Sequence, residues 1–246
     1  MYKFLLHWPL YTRYVFILQA QYMLYQRTEL QDFSNWFLYK LLSGRRFSIS
    51  YKTWIIIQAI FFSKRIITEY KKLLIIDYKE FKDFLPEKAD NLLDIGCGLG
   101  GINLKISKNY KDKIKIILYD KSIIDKKIYY NFKSKGAFYN SLKLAKAFLN
   151  LNGVPKSNMI SIEYNKNNII PIDHKVDIVI SLLSWGFHYP IGTYIDQIKN
   201  ILSNKGVLIL DVRRGEGGME ELKSCFNINP IVIRKTDKYN RIIIKH

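Results

Sequence analysis

From about residue 91 the chain alternates short apolar runs with amphipathic stretches, and the two periods predict different elements. The runs Leu92–Ile95, Ile114–Tyr119, Met159–Glu163, Val176–Leu182 and Val207–Val212 read as strands. Helical patterns lie between them, clearest over Ser141–Leu151 and Tyr194–Leu202. Such alternation predicts a parallel sheet with helices on both faces. Two further runs, Ile231–Arg234 and Arg241–Lys245, are separated only by Lys235–Asn240. A parallel pair needs a crossover of about a dozen residues, so these two predict an antiparallel hairpin. The expected class is α/β, a doubly wound five-stranded parallel core ended by a hairpin.

Before Pro86 the pattern is helical, which divides the chain into an extension (1–85) and a sheet domain (86–246). Thr28 and Gln31 have capping-box spacing ahead of a helix that places Leu30, Phe33, Trp36, Phe37, Leu41 and Leu42 on one side, with Gly44 to close it. A second helix is expected from about Tyr51 to Lys72, and a third carries Tyr78, Phe81, Phe84 and Leu85. The aromatic stripe suits core packing or a lid over a pocket. The apolar N-terminus is interrupted by His7, Pro9, Arg13, Gln19 and Gln21, and no small-residue cleavage site follows Leu5 and Leu6. The run Trp54–Phe62 is too short to cross a bilayer. Buried helices are therefore expected, with no spanning segment, and association with a membrane surface stays open.

Composition is that of a globular chain: 48% apolar and 24% charged over 246 residues. Lys+Arg 39 against Asp+Glu 21 leaves +18. An excess of this size favours polyanions, phosphorylated substrates or anionic surfaces. Lys, Asn, Ile and Tyr share AT-rich codons, however, so a biased genome supplies the same excess without selection for binding. Two cysteines, Cys97 and Cys225, make neither a disulfide framework nor a four-cysteine zinc site, and a reducing, cytoplasmic setting is expected. His7, His174, His188 and His246 are scattered, so no metal cluster is expected.

Leu92-Leu93-Asp94-Ile95-Gly96-Cys97-Gly98-Leu99-Gly100-Gly101 stands between a strand and a helix. Glycines at such a turn let the backbone leave the strand sharply and approach a ligand closely. Gly96, Gly98 and Gly101 fit the dinucleotide fingerprint; Asp94 with Gly96, Gly98 and Gly100 fits the Asp-x-Gly-x-Gly-x-Gly of S-adenosylmethionine (SAM) sites. Asp94 separates the two, because an acid before the loop holds a cationic amino group but repels a pyrophosphate. Asp120, at the end of the second strand, is placed to accept both hydroxyls of a ribose. Lys121 follows it, and Asn165 and Asn167, after the third strand, are placed at an adenine edge or in a solvated loop. Cys97 reads as a small residue in a tight loop.

Asp94–Gly101, Asp120, the Pro171…Val176-Asp177-Ile178-Val179 lead-in and the terminal hairpin together resemble a class I SAM-dependent methyltransferase over about residues 86–246. The resemblance implies a Rossmann-like seven-stranded sheet whose last strand is antiparallel, with SAM across the carboxyl ends of the first two strands. The cofactor-binding set it implies is Asp94, Gly96, Cys97, Gly98, Gly100, Asp120, Lys121, Asn165 and Ser181. Residues 1–85 would then cover the acceptor.

In that fold the acceptor approaches the end of the fourth strand, here Ile180-Ser181-Leu182-Leu183-Ser184-Trp185-Gly186-Phe187-His188-Tyr189-Pro190. The Asn/Asp-Pro-Pro-Tyr of amino-group methylation and the Pro-Cys of pyrimidine carbon methylation are missing. Ser181 or Ser184 stands where ribose methylation wants an Asp. His188 remains as a general base for a hydroxyl, since imidazole titrates near neutral pH; its other reading is a structural histidine. Trp185 and Tyr189 suit packing or substrate stacking, and Asp211, Arg213 and Arg214 end the fifth strand on the same rim. The stretch Lys126–Asn140 reads as an insertion on that rim, with Tyr129, Tyr130, Tyr139 and Asn140 suited to a sugar or polyol. Together with Ser-Trp-Gly-Phe-His-Tyr-Pro it resembles bacterial sugar O-methyltransferases. Aromatic and lysine interleaving also suits RNA, so a tRNA or rRNA methyltransferase is the alternative. A nicotinamide-dependent oxidoreductase and an idle SAM-binding module are further rivals.

Overall fold

The computed structural model describes residues 12–13, 15–17, 19–20, 61–122 and 141–245. The helix expected around Leu30–Leu42, the start of the next one over 51–60, and the insertion residues Tyr129, Tyr130, Tyr139 and Asn140 lie outside the described residues.

Seven strands form one sheet: β1 (Asn91–Ile95), β2 (Lys115–Asp120), β3 (Met159–Glu163), β4 (Val176–Ser181), β6 (Leu202–Arg213), β7 (Ile231–Lys235) and β8 (Tyr239–Lys245), in the order β3-β2-β1-β4-β6-β8-β7. The first five strands in that order run parallel. β8 pairs antiparallel with both β6 and β7, so the closing hairpin is as expected. An eighth extended segment, β5 (Ser184–Tyr189), packs beside β6 outside that sheet.

Parity along each strand assigns side chains to the two faces, because successive residues point opposite ways. Leu92, Ile116, Leu118, Ile178, Ile180 and Ile209 enter one core with helices α1 (Ser63–Phe81), α2 (Gly101–Asn109) and α3 (Leu142–Leu151). Their neighbours Leu93, Ile117, Val179, Leu208 and Leu210 enter the other core, against α4 (Ile195–Ile201) and α5 (Gly218–Phe226). Buried on both faces, the inner parallel strands β2, β1, β4 and β6 carry continuous apolar runs, whereas the edge strand β3 buries only Met159 fully. Asp177 ties the sheet's lower edge: its carboxylate accepts the N–H groups of Asp90 and Asn91, and the Ser203 hydroxyl.

Two expectations need correction here. The break expected between Lys72 and Tyr78 does not exist, and α1 runs unbroken to Phe81, since Leu73-Leu74-Ile75-Ile76-Asp77 contains no helix breaker. β6 begins at Leu202 instead of Val207, with a register shift between Val176 and Ile178 on its partner strand.

The described part of the extension shares the α1 core with the sheet. Phe16 meets Tyr70 edge-on and packs on Phe148. Deeper in the same region Arg241, with no exposed surface, donates to both oxygens of Asp211 at 2.7 and 2.9 Å and to Asp77 and Glu80 at 2.7 and 2.9 Å. That network links α1 to β6 and β8.

Candidate active site

The chain turns from β1 into α2 through glycines at φ +76° (Gly96), +53° (Gly98) and +69° (Gly100), all in the left-handed region that side chains resist. Gly96 N–H donates to Tyr119 O at 2.8 Å, stitching the turn to β2, and Gly100 N–H donates to Cys97 O at 2.8 Å. A Cβ on Gly96 would lie 2.0 Å from Ser184 Oγ, and one on Gly101 would lie 2.2 Å from the Tyr70 hydroxyl. The glycines therefore admit close neighbours on two sides. Cys97 is buried within the turn, as a small residue there should be.

Two carboxylates flank this loop. Asp120 accepts Gly98 N–H at 2.8 Å on one oxygen and Lys121 N–H at 2.6 Å on the other, which fixes its plane at the end of β2. Asp94 is buried behind the loop and accepts Asn103 Nδ2–H at 2.7 Å. Burial pushes its carboxyl up to about 7; the Asn103 hydrogen bond opposes this and the nearby Asp120 charge adds to it. Asn103 Oδ1 is buried with no hydrogen-bond partner among the described residues. The surroundings of the loop are thus rich in acceptors. That chemistry suits an ammonium and ribose hydroxyls; Asp120 would serve the ribose of either cofactor class, and it is Asp94 that a pyrophosphate would lie against. The residues present fit SAM better than a dinucleotide.

The ends of β1, β2 and β3 and the start of β5 enclose a cleft lined by Gly96, Asp120, Lys121 and Tyr189 from the expected set. Tyr119, Tyr164, Ser184 and Tyr194 also line it, and none of them was in that set. Lys121 Nζ stands 5.9 Å over the Tyr164 ring. The cleft is open to solvent on one side.

Several expected site residues are placed elsewhere. Asn165 closes its own loop, accepting N–H from Asn167 and Ile169 at 3.1 Å and donating to Ile169 O at 2.6 Å; Tyr164 takes the cleft position one residue earlier. Ser181 is buried at the end of β4, donating to Ile95 O and accepting Trp185 N–H, so Ser184 is the serine at the cleft. Trp185 has no exposed surface and donates Nε1–H to Ile191 O at 2.9 Å, a core role that leaves no face for a substrate. Asp211 is consumed by Arg241.

His188 is half-buried beside Tyr189, and its ring stands perpendicular to Phe187 with centroids 4.9 Å apart. The Arg213 guanidinium lies over the same Phe187 ring at 4.8 Å and pairs with Glu216 at 3.1 Å. His188 and Arg213 therefore share one aromatic platform, and neither lines the cleft. Gly186 at φ +86° explains the arrangement, because it breaks strand alternation and lets Ser184 and Tyr189 face the same cleft.

No family model and no curated protein matches the sequence. Solved structures do match. The O-methyltransferase (O-MT) domain of StiE is 13% identical, covers 74% of this chain and 76% of its own, and superposes with a TM-score of 0.50. A proposed O-methyltransferase from Nostoc punctiforme is 13% identical at a TM-score of 0.49; the match spans 74% of this chain and 60% of that one. The 16S rRNA N2 G1207 methyltransferase of T. thermophilus, solved with AdoMet and guanosine, is also 13% identical, with a TM-score of 0.49 over 71% of this chain and 42% of that one. With the strand order and terminal hairpin described above, the fold is that of the class I SAM-dependent methyltransferases.

Proposed function

We propose that the protein is a SAM-dependent methyltransferase that methylates a hydroxyl of a sugar or another small polyhydroxylated acceptor. The observation that carries the reading is the pair of carboxylates, Asp94 and Asp120, set around the left-handed glycine turn beside an orphaned amide oxygen. Bound SAM supplies an electrophilic methyl group on a sulfonium. Asp120 would accept the ribose hydroxyls, Lys121 and Tyr164 would flank the base, and Asp94 with the orphaned Asn103 Oδ1 would face the ammonium of the tail at the glycine turn. Methyl transfer is an in-line displacement that needs positioning above all. His188 would take the proton from the acceptor hydroxyl as its oxygen displaces the sulfur from the methyl group, the S–C bond breaking to leave S-adenosylhomocysteine, and Tyr189 and the Phe187 platform would orient the acceptor.

The fold leaves the acceptor open, and the +18 charge favours RNA as a second reading. Methyl-labelled SAM added to whole-cell extract with the protein, followed by separation into RNA, glycan and small-molecule fractions, decides between them. Label in glycan or nucleotide-sugar material is expected. Label in RNA, with tRNA or rRNA binding that weakens steeply with salt, overturns the sugar reading. NAD(H) raising the melting temperature where SAM does not would overturn the methyltransferase class itself.

A further inference from the structure

Described residues of the N-terminal extension lie against the glycine loop. Val15, Phe16, Ile17, Gln19 and Ala20 are all buried. Four of them are apolar and enter the α1 core; Gln19 is the polar exception. Its side-chain Nε2 stands 3.2 Å from the position a Cβ would take on Gly98, so the amide is laid directly on the middle glycine of the turn. Phe16 holds this segment in place between Tyr70 and Phe148, and Tyr70 in turn packs on Gly101.

A buried amide at this position has a chemical consequence. The tail of SAM carries an ammonium and a carboxylate. Asp94, Asp120 and Asn103 Oδ1 offer acceptors to the ammonium and the ribose hydroxyls, but the carboxylate must sit among these same groups and needs a donor. Gly98 N–H already donates to Asp120. We infer that Gln19 supplies a donor, so that the N-terminal extension completes the cofactor site and Gln19 positions the amino-acid tail of SAM through its carboxylate. The inference rests on the methyltransferase reading and extends it to a residue outside the sheet domain.

Calorimetric affinities of the full chain for two ligands test it. S-adenosylhomocysteine keeps the amino-acid tail, and 5′-methylthioadenosine lacks it. Gln19→Leu is expected to weaken S-adenosylhomocysteine by about 10- to 100-fold, the loss of a hydrogen bond to a charged group. Gln19→Glu, which preserves shape and sets a carboxylate against the ligand's own, is expected to weaken it further. Both variants should leave methylthioadenosine within about twofold of wild type, since no tail is present to lose. If Gln19→Leu fails to fold, Gln19→Glu carries the same comparison. Equal losses for the two ligands would mean Gln19 merely holds the loop's shape, and unchanged S-adenosylhomocysteine affinity would mean it touches no tail; either overturns the inference. If the wild-type chain binds neither ligand, the methyltransferase reading falls, and this inference falls with it.

Discussion

Gly96 and Ser184 form a pair whose coupling follows from their spacing. Replacing Gly96 by alanine adds a Cβ 2.0 Å from Ser184 Oγ and 2.3 Å from Ser184 Cβ, both inside any tolerable contact. Its φ of +76° adds a second cost, about 1–2 kcal/mol for a side chain in the left-handed region. Forcing Ser184 aside is overpacking, worth about 1–3 kcal/mol more. Gly96→Ala should therefore destabilise the protein by about 2–5 kcal/mol and weaken SAM binding, because Ser184 is displaced into the cleft it lines. Removing the obstructing atoms with Ser184→Gly leaves only the backbone cost. The double variant should be less damaged than the sum of the singles by about 1–3 kcal/mol. Urea denaturation of wild type, both singles and the double closes the cycle, with SAM affinity measured on each. Effects that add to within about 0.5 kcal/mol would refute the contact and, with it, the placement of β5 against the glycine turn.

Asp94 makes a pH prediction. Its folded carboxyl titrates at about 7, above the ordinary 3.8, so the fold favours the protonated form. The associated stability is complete below about pH 4 and is lost as pH rises towards 7, up to about 4 kcal/mol by linkage. Asp94→Asn should then gain stability over wild type at pH 8 and not at pH 4.5; equal differences at the two pH values in urea melts would contradict it. Arg241→Met should cost about 3–5 kcal/mol, because Asp77 and Asp211 stay buried without their cation; a loss below about 1 kcal/mol would mean the network is not formed. His188→Ala should lower kcat with SAM affinity unchanged, and full turnover would remove the base role.

The inner strands were legible because they are buried on both faces and announce themselves as continuous apolar runs, whereas β3, largely exposed at the sheet edge, was bounded by the polar residues on either side of it. Met159–Glu163 was read to the residue, and the helical pattern over Ser141–Leu151 is α3, with Ser141 as the cap that accepts Leu144 N–H. β5 was not legible for a reason that lies in Gly186. Its left-handed φ interrupts the period of two, so Ser184–Tyr189 looks like a loop following a strand. The same kink misled the assignment of Ser181 and Trp185, since position after a strand end does not tell which residue turns inward. α5 is nine residues long and starts at paired glycines, too short and too polar to stand out. The Asp77–Arg241 pairing spans 164 positions, and no local pattern encodes it. The loop motif survived because its chemistry is local: acid, strand end and glycines are all within eight residues.

Gln19 has a place in the fold that its sequence context does not announce. In the sequence it is one of several polar interruptions that argue against a membrane span, and among the described residues no helix is long and apolar enough to cross one. In the fold it is the one buried polar group of its described segment, and it rests on the glycine turn. Tyr70 of α1 packs on Gly101, and Leu149 of α3 stands 3.2 Å from where a Cβ on Gly100 would be. Three elements on one face of the sheet thus press on three glycines of the loop. Val15, Phe16, Ile17 and Ala20 belong to the same core as Tyr70 and Leu149, so the packing that holds these residues also backs the glycine turn. The opposite face carries Trp185 and Tyr194, whose rings meet edge to face and seat β5, the segment whose Ser184 and Tyr189 line the cleft. The glycine turn and the cleft beside it are therefore supported from both cores of the sheet, the turn by the extension, α1 and α3 and the cleft by the packing under β5.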